Sequence, residues 1–430
     1  MQSVIIRRQI YMKFLSLFVD KLRKEIIIKE PTDSVWNISV NTKDFLITGY
    51  YQDLDNIDNI TFCNHIIDGS YTQLNSKFLV LYKNKITGKI TIINDISCGY
   101  PLYYYRDEEY LYASSDIVEI LEFVNKNRQL VADRYGILRL IMGISSNYFH
   151  NSVIENIHKL LPNQKITINP NFMDDLTIVK IMIDKRPIIF ENSEDVANDY
   201  LDTFRNLYKN YYYKYITDET HFDISNGFDS TLITYLALEH NKNIKLRTRF
   251  DYSINEQPED TSIIDQWLSF HNLKANHQYQ DIRFAGCAKS INDVFEKNFA
   301  IMIIDHFNVD QIMKNTQNKT LFSGYGGDDI FSFINEQHLI LSPYKHYYLM
   351  PRILKINNLE PYFNKDFIEW ATDFDYTNYP LIDIGIQQNS PYYNEIFFRE
   401  ATIHNVRVIN PFLHRRLEKY NRLKKFDTNI

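Results

Sequence analysis

Cysteine is scarce in this chain of 430 residues: Cys63, Cys98 and Cys287 stand far apart, without the paired spacing of a metal site. That excludes a disulfide-stapled scaffold and points to reduced thiols in a cytoplasmic protein. Long apolar runs are missing as well. No stretch approaches the roughly 20 residues of a membrane span, so no membrane partner is expected. Arg7 and Arg8 ahead of Ile10 to Val19 give a faint outline of a secretion signal, but Lys13 interrupts the stretch and no small-x-small cleavage site follows. Positive charge is not in excess either. With 47 Lys and Arg against 54 Asp and Glu, the net charge is −7, which argues against broad electrostatic binding to nucleic acid. What is present is an ordinary globular composition, 44% hydrophobic and 23% charged, on a chain long enough for two domains with separate cores. The 32 Tyr and 28 Phe accompany many Ile, Asn and Lys, a bias that reads as genomic base composition.

Two short stretches carry the chemistry. In the first, apolar Phe222-Asp223-Ile224 breaks at Ser225-Asn226-Gly227 and enters Phe228-Asp229-Ser230-Thr231 and an apolar run to Leu238. The pattern is a buried strand, a tight turn and a helix N-terminus. Backbone N–H groups at such a turn, backed by the helix dipole, form a site for phosphate. Gly227 can take positive φ, and Ser225 and Ser230 are small enough to let an anion approach the backbone. Asp229 is placed to hold magnesium against that anion. The plainer reading is an ordinary strand–turn–helix with Ser230 as its N-cap. The second stretch, Leu321-Phe322-Ser323-Gly324-Tyr325-Gly326-Gly327-Asp328-Asp329-Ile330-Phe331, repeats the design with acids in a glycine-rich turn. Alone it would read as a loop with solvated acids; the pair is harder to dismiss.

Ser225-Asn226-Gly227-Phe228-Asp229-Ser230 resembles the pyrophosphate loop of the ATP pyrophosphatase superfamily, Ser-Gly-Gly-x-Asp-Ser, with Asn226 at the first glycine. Ser323-Gly324-Tyr325-Gly326-Gly327-Asp328 resembles the second motif of the asparagine synthetase branch, in a form closer to lasso-peptide cyclases and β-lactam synthetases. The resemblance implies ATP and Mg2+ as cofactors. Ile224, Ser225, Asn226, Gly227, Asp229, Ser230, Ser323 and Gly324 would bind the nucleotide, and Asp229 and Asp328 would hold the metal. Tyr325 paired with Glu395 would activate an attacking amine, with Glu360 as the rival for the glutamate.

Residues 1 to about 185 read mainly as short strands. Phe45–Tyr51, Lys77–Tyr82 and Lys89–Ile93 are three, with a hairpin connection over Asn84–Gly88. Tyr110–Ser115 precedes a helix over Asp116–Asn125 capped by Ser115 or Asp116, Arg134–Met142 reads as a further helix, and Leu161–Ile168 and Thr177–Met182 return to strand. The order resembles the N-terminal glutaminase domain of asparagine synthetases. Asp95 to Tyr104 loosely matches its Asp-x-x-Gly-x-x-Pro-Leu-Tyr-Tyr segment, with Cys98 at the glycine, and Ala113-Ser114-Ser115 matches the Ala-Ser-Glu that follows. A working glutaminase needs a processed N-terminal cysteine. Here Gln2, or Lys13 if translation starts at Met12, stands in its place, so the domain is expected to be a degenerate remnant that makes no ammonia.

The expected organisation is therefore a degenerate glutaminase-like (Ntn) α+β sandwich over residues 1–185, then an α/β parallel-sheet ATP pyrophosphatase-type synthetase domain over 190–430. The second domain opens with a helix capped by Ser193, its buried face on Val196, Tyr200, Phe204, Leu207 and Tyr211. The tract Tyr208–Tyr215 mixes aromatics with lysine, but one buried helix face explains it better than base stacking. Ile244–Phe250 is the next strand, Ile263–Phe270 a helix, Lys274–Tyr279 a strand, and 281–318 helical in pattern. Near the end, Asn394 to Glu400 and Asn410-Pro411-Phe412-Leu413-His414 resemble the family's last helix and Pro-Phe-Leu-Asp segment, with His414 at the aspartate. His404 and His414 read as surface or core histidines rather than ligands. The family continues beyond this point to a lysine that stabilises the acyl-adenylate. Lys424-Lys425 near the end of this sequence, a partner, or loss of activity are the three ways the difference resolves.

The function implied is an ATP-dependent, AMP-forming carbon–nitrogen ligase. It would adenylate a carboxylate and let an amine attack, intramolecularly as in lasso-peptide macrolactam formation. The substrate would be a small molecule or a precursor peptide, with a protease or leader-binding protein as partner. The alternatives are a β-lactam synthetase-like or asparagine synthase-related small-molecule ligase, and a catalytically inactive nucleotide- or partner-binding relative. An RNA-modifying ATP pyrophosphatase is opposed by the acidic charge, and a serine hydrolase by the missing Gly-x-Ser-x-Gly elbow at Ser225.

Overall fold

The computed structural model describes residues 14–32, 36–95, 99–133, 152, 154–161, 164–178, 193–250, 261–281, 309–324, 390–414 and 416–417. The helix expected over 134–142 lies outside them, as do most of 281–318 and of the boundary near 185–190.

In chain order the first half runs β1 (Ser16–Asp20), β2 (Glu25–Lys29), β3 (Asn37–Asn41), β4 (Phe45–Gln52), α1 (Asn59–Asp68), β5 (Lys77–Asn84), β6 (Ile90–Asn94), β7 (Tyr103–Arg106), β8 (Tyr110–Ser114), α2 (Ile117–Asn127), β9 (Ile157–Lys159), β10 (Gln164–Ile168) and β11 (Asp174–Ile178). Two antiparallel sheets result, one ordered β2-β1-β8-β7-β9 and the other β11-β10-β6-β5-β4-β3. Strand alternation divides their side chains between layers. Leu79 and Leu81 meet Leu17, Val19, Leu111 and Ala113 between the sheets, whereas Phe78 and Val80 point to α1, against Phe62, Cys63 and Ile66. Tyr103, Tyr105 and Tyr112 face α2, against Ile117, Ile120 and Val124. The result is four layers, helix–sheet–sheet–helix, and the expected α+β sandwich is present. Tyr50 on β4 ties the sheets by accepting the Leu15 N–H at 3.0 Å and meeting Ser115 Oγ at 3.0 Å.

The local signals act as chemistry requires. Asp116 caps α2 by accepting the Val118 N–H at 3.1 Å. Asn84 Oδ1 closes the β5–β6 hairpin by accepting from Ile86 and Thr87, and Gly88 there sits at φ 72°. Leu161, expected to open a strand, is not in one, and β10 is described from Gln164; β11 begins at Asp174, three residues before the expected Thr177, while residues 179–182 of that expectation lie outside the described ones. The two strands pair antiparallel from Gln164 opposite Ile178 to Ile168 opposite Asp174.

The second half runs α3 (Ser193–Leu207), β12 (His221–Asp223), α4 (Phe228–Leu238), β13 (Lys245–Phe250), α5 (Ser262–Phe270), β14 (His277–Asp281), α6 (Val309–Asn315), β15 (Thr320–Phe322), α7 (Ser390–Ile403) and β16 (Arg407–Ile409). The start of the strand expected from Lys274 is a 3-10 turn, Lys274–Asn276. All pairings in this sheet are parallel, in the order β14-β13-β12-β15-β16. One face, with Phe222, Leu246, Phe322 and Ile409, packs on α3, α4 and α5. Leu321 on the other face packs with Val309, Ile312 and Met313 of α6 and Phe397 and Ala401 of α7. Tyr200, Phe204, Leu207, Tyr208, Tyr211 and Tyr212 are all core residues, so the aromatic tract after α3 is a buried face. Among the described residues no helix is long and apolar enough to cross a membrane.

The two halves are joined through α7. Phe398 enters the first core, 5.1 Å from the Tyr50 ring and 5.6 Å from that of Tyr100. Arg399 pairs with Asp116 at 3.3 Å, and Lys214 with Asp53 at 3.0 Å.

Gly49 on β4 is a point where no side chain fits. Its φ is 150°, and a Cβ there would lie 2.1 Å from the Leu79 carbonyl oxygen of β5. Gly49→Ala should destabilise the fold by about 3 kcal/mol, read as a lower urea midpoint with an unchanged slope.

Candidate active site

In the parallel sheet the chain moves outward from β12 to β13 and β14, then returns to lay β15 and β16 on the other side. The neighbours β12 and β15 therefore flank the point where the strand order reverses. In open parallel sheets, ligands bind in the crevice outside the strands' carboxyl ends at that point. Both sequence motifs leave from there, the first after Asp223 and the second after Phe322.

The first loop is organised by its own hydroxyls. Ser230 Oγ accepts the Ser225 N–H at 3.0 Å, contacts Ser225 Oγ at 2.8 Å and donates to the Gly227 carbonyl at 3.3 Å. Ser225 Oγ accepts the Gly227 N–H at 3.1 Å, and Thr231 Oγ1 donates to the Gly227 carbonyl at 2.9 Å. The Ile224 carbonyl is held by the Thr248 hydroxyl at 3.0 Å. Two local expectations are corrected. Gly227 has φ −76° and ψ 145°, extended rather than left-handed. It is itself the N-cap of α4, and Ser230 lies within the first turn. Because glycine carries no side chain, no side-chain cap closes this helix start. Ser225, Asn226, Gly227 and Phe228 are exposed, Asp229 is half-buried and Ser230 buried.

The second loop lies directly on the first. A Cβ on Gly324 would sit 2.9 Å from Ser230 N, 3.1 Å from Ser230 Cα and 3.3 Å from the Asp229 carbonyl carbon. Glycine is thus needed for close backbone approach. Ser323 is buried, and its N–H donates to the Ile409 carbonyl at 3.0 Å, anchoring the loop to β16. Ile224, Ser225, Asn226, Gly227, Asp229, Ser230, Ser323 and Gly324 are thereby gathered at one edge. Tyr325, Asp328 and Glu360 lie outside the described residues, and Glu395 is placed on α7. Among the described residues no group of three His, Cys, Asp or Glu could hold a metal.

Beneath the first loop lies a charged network with no counterpart in the sequence reading. Arg247 on β13 is 1% exposed; its Nε meets Asp223 Oδ1 at 2.5 Å and its Nη1 donates to Thr316 Oγ1 at 2.6 Å. Arg249 reaches Asp223 Oδ2 at 3.1 Å. Burial alone would raise the Asp223 pKa, but the two guanidinium groups outweigh it and hold the carboxyl below the ordinary range. The sequence carries only the alternation Arg247-Thr248-Arg249, and the parallel register is what sets Arg247 beside Asp223. His414 is fully buried; desolvation first, then Arg416 and Lys77, push its pKa down to about 3, so it is a neutral core histidine. His404 is 16% exposed, near Glu400.

No protein-family model matches the chain, and no curated protein matches it significantly. Among solved structures, glutamine phosphoribosylpyrophosphate amidotransferase from B. subtilis, complexed with ADP and GMP, aligns at 10% identity and a TM-score of 0.24, over 59% of this chain and 64% of that one. A structure of the allosteric regulatory enzyme of purine biosynthesis aligns at 9% identity and 0.23, over 58% and 63%. The chain thus spans less than two thirds of the length of either.

The Asp223 pair gives a pH signature. A folded-state pKa below the unfolded value near 3.9 means stability that is present above about pH 4 and lost as pH falls through the folded value. Asp223→Asn should therefore lower stability by about 3 kcal/mol at pH 7, where Arg247 loses its buried counter-charge. The gap to the native protein should shrink in urea titrations at about pH 3.

Proposed function

We propose that the chain is an ATP-dependent, AMP-forming amide-bond ligase. The observation that carries this reading is the meeting of two loops at the reversal point of a parallel sheet, with Gly324 against the N-terminal turn of α4. An exposed turn, an N-terminus without a side-chain cap and a glycine contact make a site to which an extended polyphosphate is suited. The loop sequences supply the rest of the argument by their resemblance to asparagine synthetase-like enzymes.

A carboxylate does not react with an amine at neutral pH because its leaving group is poor. Transfer of AMP to the carboxylate makes a mixed anhydride and releases pyrophosphate; attack by the amine then forms the amide and releases AMP. The protein has to position the reactants and stabilise the departing charge. In this reading Ser225 to Ser230 hold the pyrophosphate and Ser323 and Gly324 line the nucleotide. Tyr325 with Glu395 takes the proton from an amine carried by the substrate, a small molecule or a peptide. Asp229 and Asp328 would hold Mg2+, which supplies charge neutralisation at the pyrophosphate. The sandwich of the first half is read as a degenerate glutaminase-like domain. One observation favours the second reading, an inactive nucleotide- or partner-binding relative: Ser225 Oγ, Ser230 Oγ and the Gly227 N–H are engaged with one another.

The test is pyrophosphate release from ATP and Mg2+ across a panel of carboxylic acids and precursor peptides. Substrate-dependent release is expected, falling on the order of a hundredfold in Asp229→Ala. Calorimetry on the same samples reads ATP binding, and its absence would sink both nucleotide readings. Gly324→Ala, which places a methyl group 2.9 Å from Ser230 N and forces the two backbones apart, should lower the thermal transition modestly and weaken ATP binding about tenfold.

A further inference from the structure

Where the two halves meet, several buried polar atoms have no hydrogen-bond partner among the described residues: Tyr100 Oη, Asn410 Oδ1, Arg407 Nε and His414 Nε2. Each such atom costs roughly 1–3 kcal/mol unless something satisfies it. Tyr100 and Asn410 are each only 4% exposed, and both line one cavity between the halves, shared with Trp36, Lys77, Phe398 and Thr402. It offers about 40 Å³ to the centres of water-sized molecules, room for a few waters or one compact organic molecule.

The polar lining favours an anion. Lys77 is 6% exposed and lies in the wall. Burial draws its ammonium pKa down to about 8, against the opposing pull of Asp95. Asp95 already accepts the Phe78 N–H at 2.9 Å and the Gly99 N–H at 2.8 Å through Oδ2. The Arg407 guanidinium lies 5.0 Å from the Trp36 ring and 5.2 Å from that of Tyr215, and its charge is felt at Tyr100. Among the described residues, Lys77 in the wall stands near Asp95 and Arg407 lies behind Trp36, and the Tyr100 hydroxyl and the Asn410 amide oxygen have no partner among those residues. A carboxylate accepts from Lys77 and Tyr100, and a neighbouring hydroxyl or ammonium donates to Asn410.

We propose that this cavity binds a small α-hydroxy or α-amino carboxylate, with its carboxylate on Lys77 and Tyr100 and its donor group on Asn410. The site is separate from the crevice between the loops and does not rest on the ligase reading. It is nonetheless coupled to the crevice by covalent neighbourhood: Asn410 follows Ile409, whose carbonyl holds the Ser323 N–H at 3.0 Å. A ligand that fixes Asn410 also fixes the root of the second loop.

Calorimetric titration of the full chain with sodium L-lactate, glycine, sodium acetate and sodium chloride tests the site. Saturable binding of lactate or glycine is expected, with acetate weaker and chloride without effect. Tyr100→Phe removes only the unpartnered hydroxyl and should fold normally while weakening binding about fivefold. Ala401→Leu, which fills the cavity wall, should abolish binding, with circular dichroism reporting the fold. No saturable binding of any of the carboxylates, or equal affinity in the native protein and Tyr100→Phe, overturns the proposal and leaves a cavity filled with water.

Discussion

The buried Arg247 guanidinium is the interaction on which the second half depends. It joins β13 to β12 through Asp223, and joins both to the end of α6 through Thr316, four residues before β15 begins. Of these, β12 and β15 flank the reversal point, so the network fixes β12 against β13 on one side and reaches the segment that leads into β15 on the other. A buried ion pair is weak evidence for net stability, because desolvation offsets the attraction. Its effect here is on geometry. A buried arginine tolerates few alternative registers, since a slip of one residue would carry the charge to the apolar face with Leu246 and Phe322. From that register follow the exit directions of both loops and the contact of Gly324 with Ser230.

Much of this was legible in the sequence because the motifs are local. Ser225 to Ser230 and Ser323 to Gly324 are short, punctuated by glycine, and attached to apolar strand ends; such signals survive without knowledge of the partner. The sandwich strands were legible for the same reason, since Lys77–Asn84 and Ile90–Asn94 are short, mostly apolar runs on either side of an Asn-to-Gly turn. What failed were readings of what a residue type is for. Glycine at position 227 suggested positive φ, but its use is to start a helix without a side chain in the way. Serine at position 230 suggested a cap, but its hydroxyl ties together the strand end and the turn before the helix. Both choices are decided by how the backbone returns to itself, which composition does not encode.

The charged network was illegible for a different reason. Arg247 and Arg249 alternate with Leu246 and Thr248, and such alternation ordinarily marks a solvated strand face. Among the described residues, it is the end of α6, at Thr316, that meets this face and Arg247. The partner is 69 residues further along the chain, beyond the reach of any periodicity argument. The same holds for the junction of the two halves, where Arg399 meets Asp116 across 283 residues.

That junction also bears on what the first half does for the second. Helix α7 faces two cores at once: Phe397 packs with Leu321 of the parallel sheet, while the next residue, Phe398, packs among Tyr50 and Tyr100 of the sandwich. Removing a buried aromatic of this kind costs about 3–5 kcal/mol, a large share of the stability of an ordinary domain. Strand β16 follows α7 directly, and its Ile409 carbonyl anchors Ser323. The sandwich therefore supports the crevice mechanically, through α7 and β16, whether or not it carries any chemistry of its own. The surface is held for its packing alone, because Phe398 and Arg399 bury an aromatic ring and a charge against it.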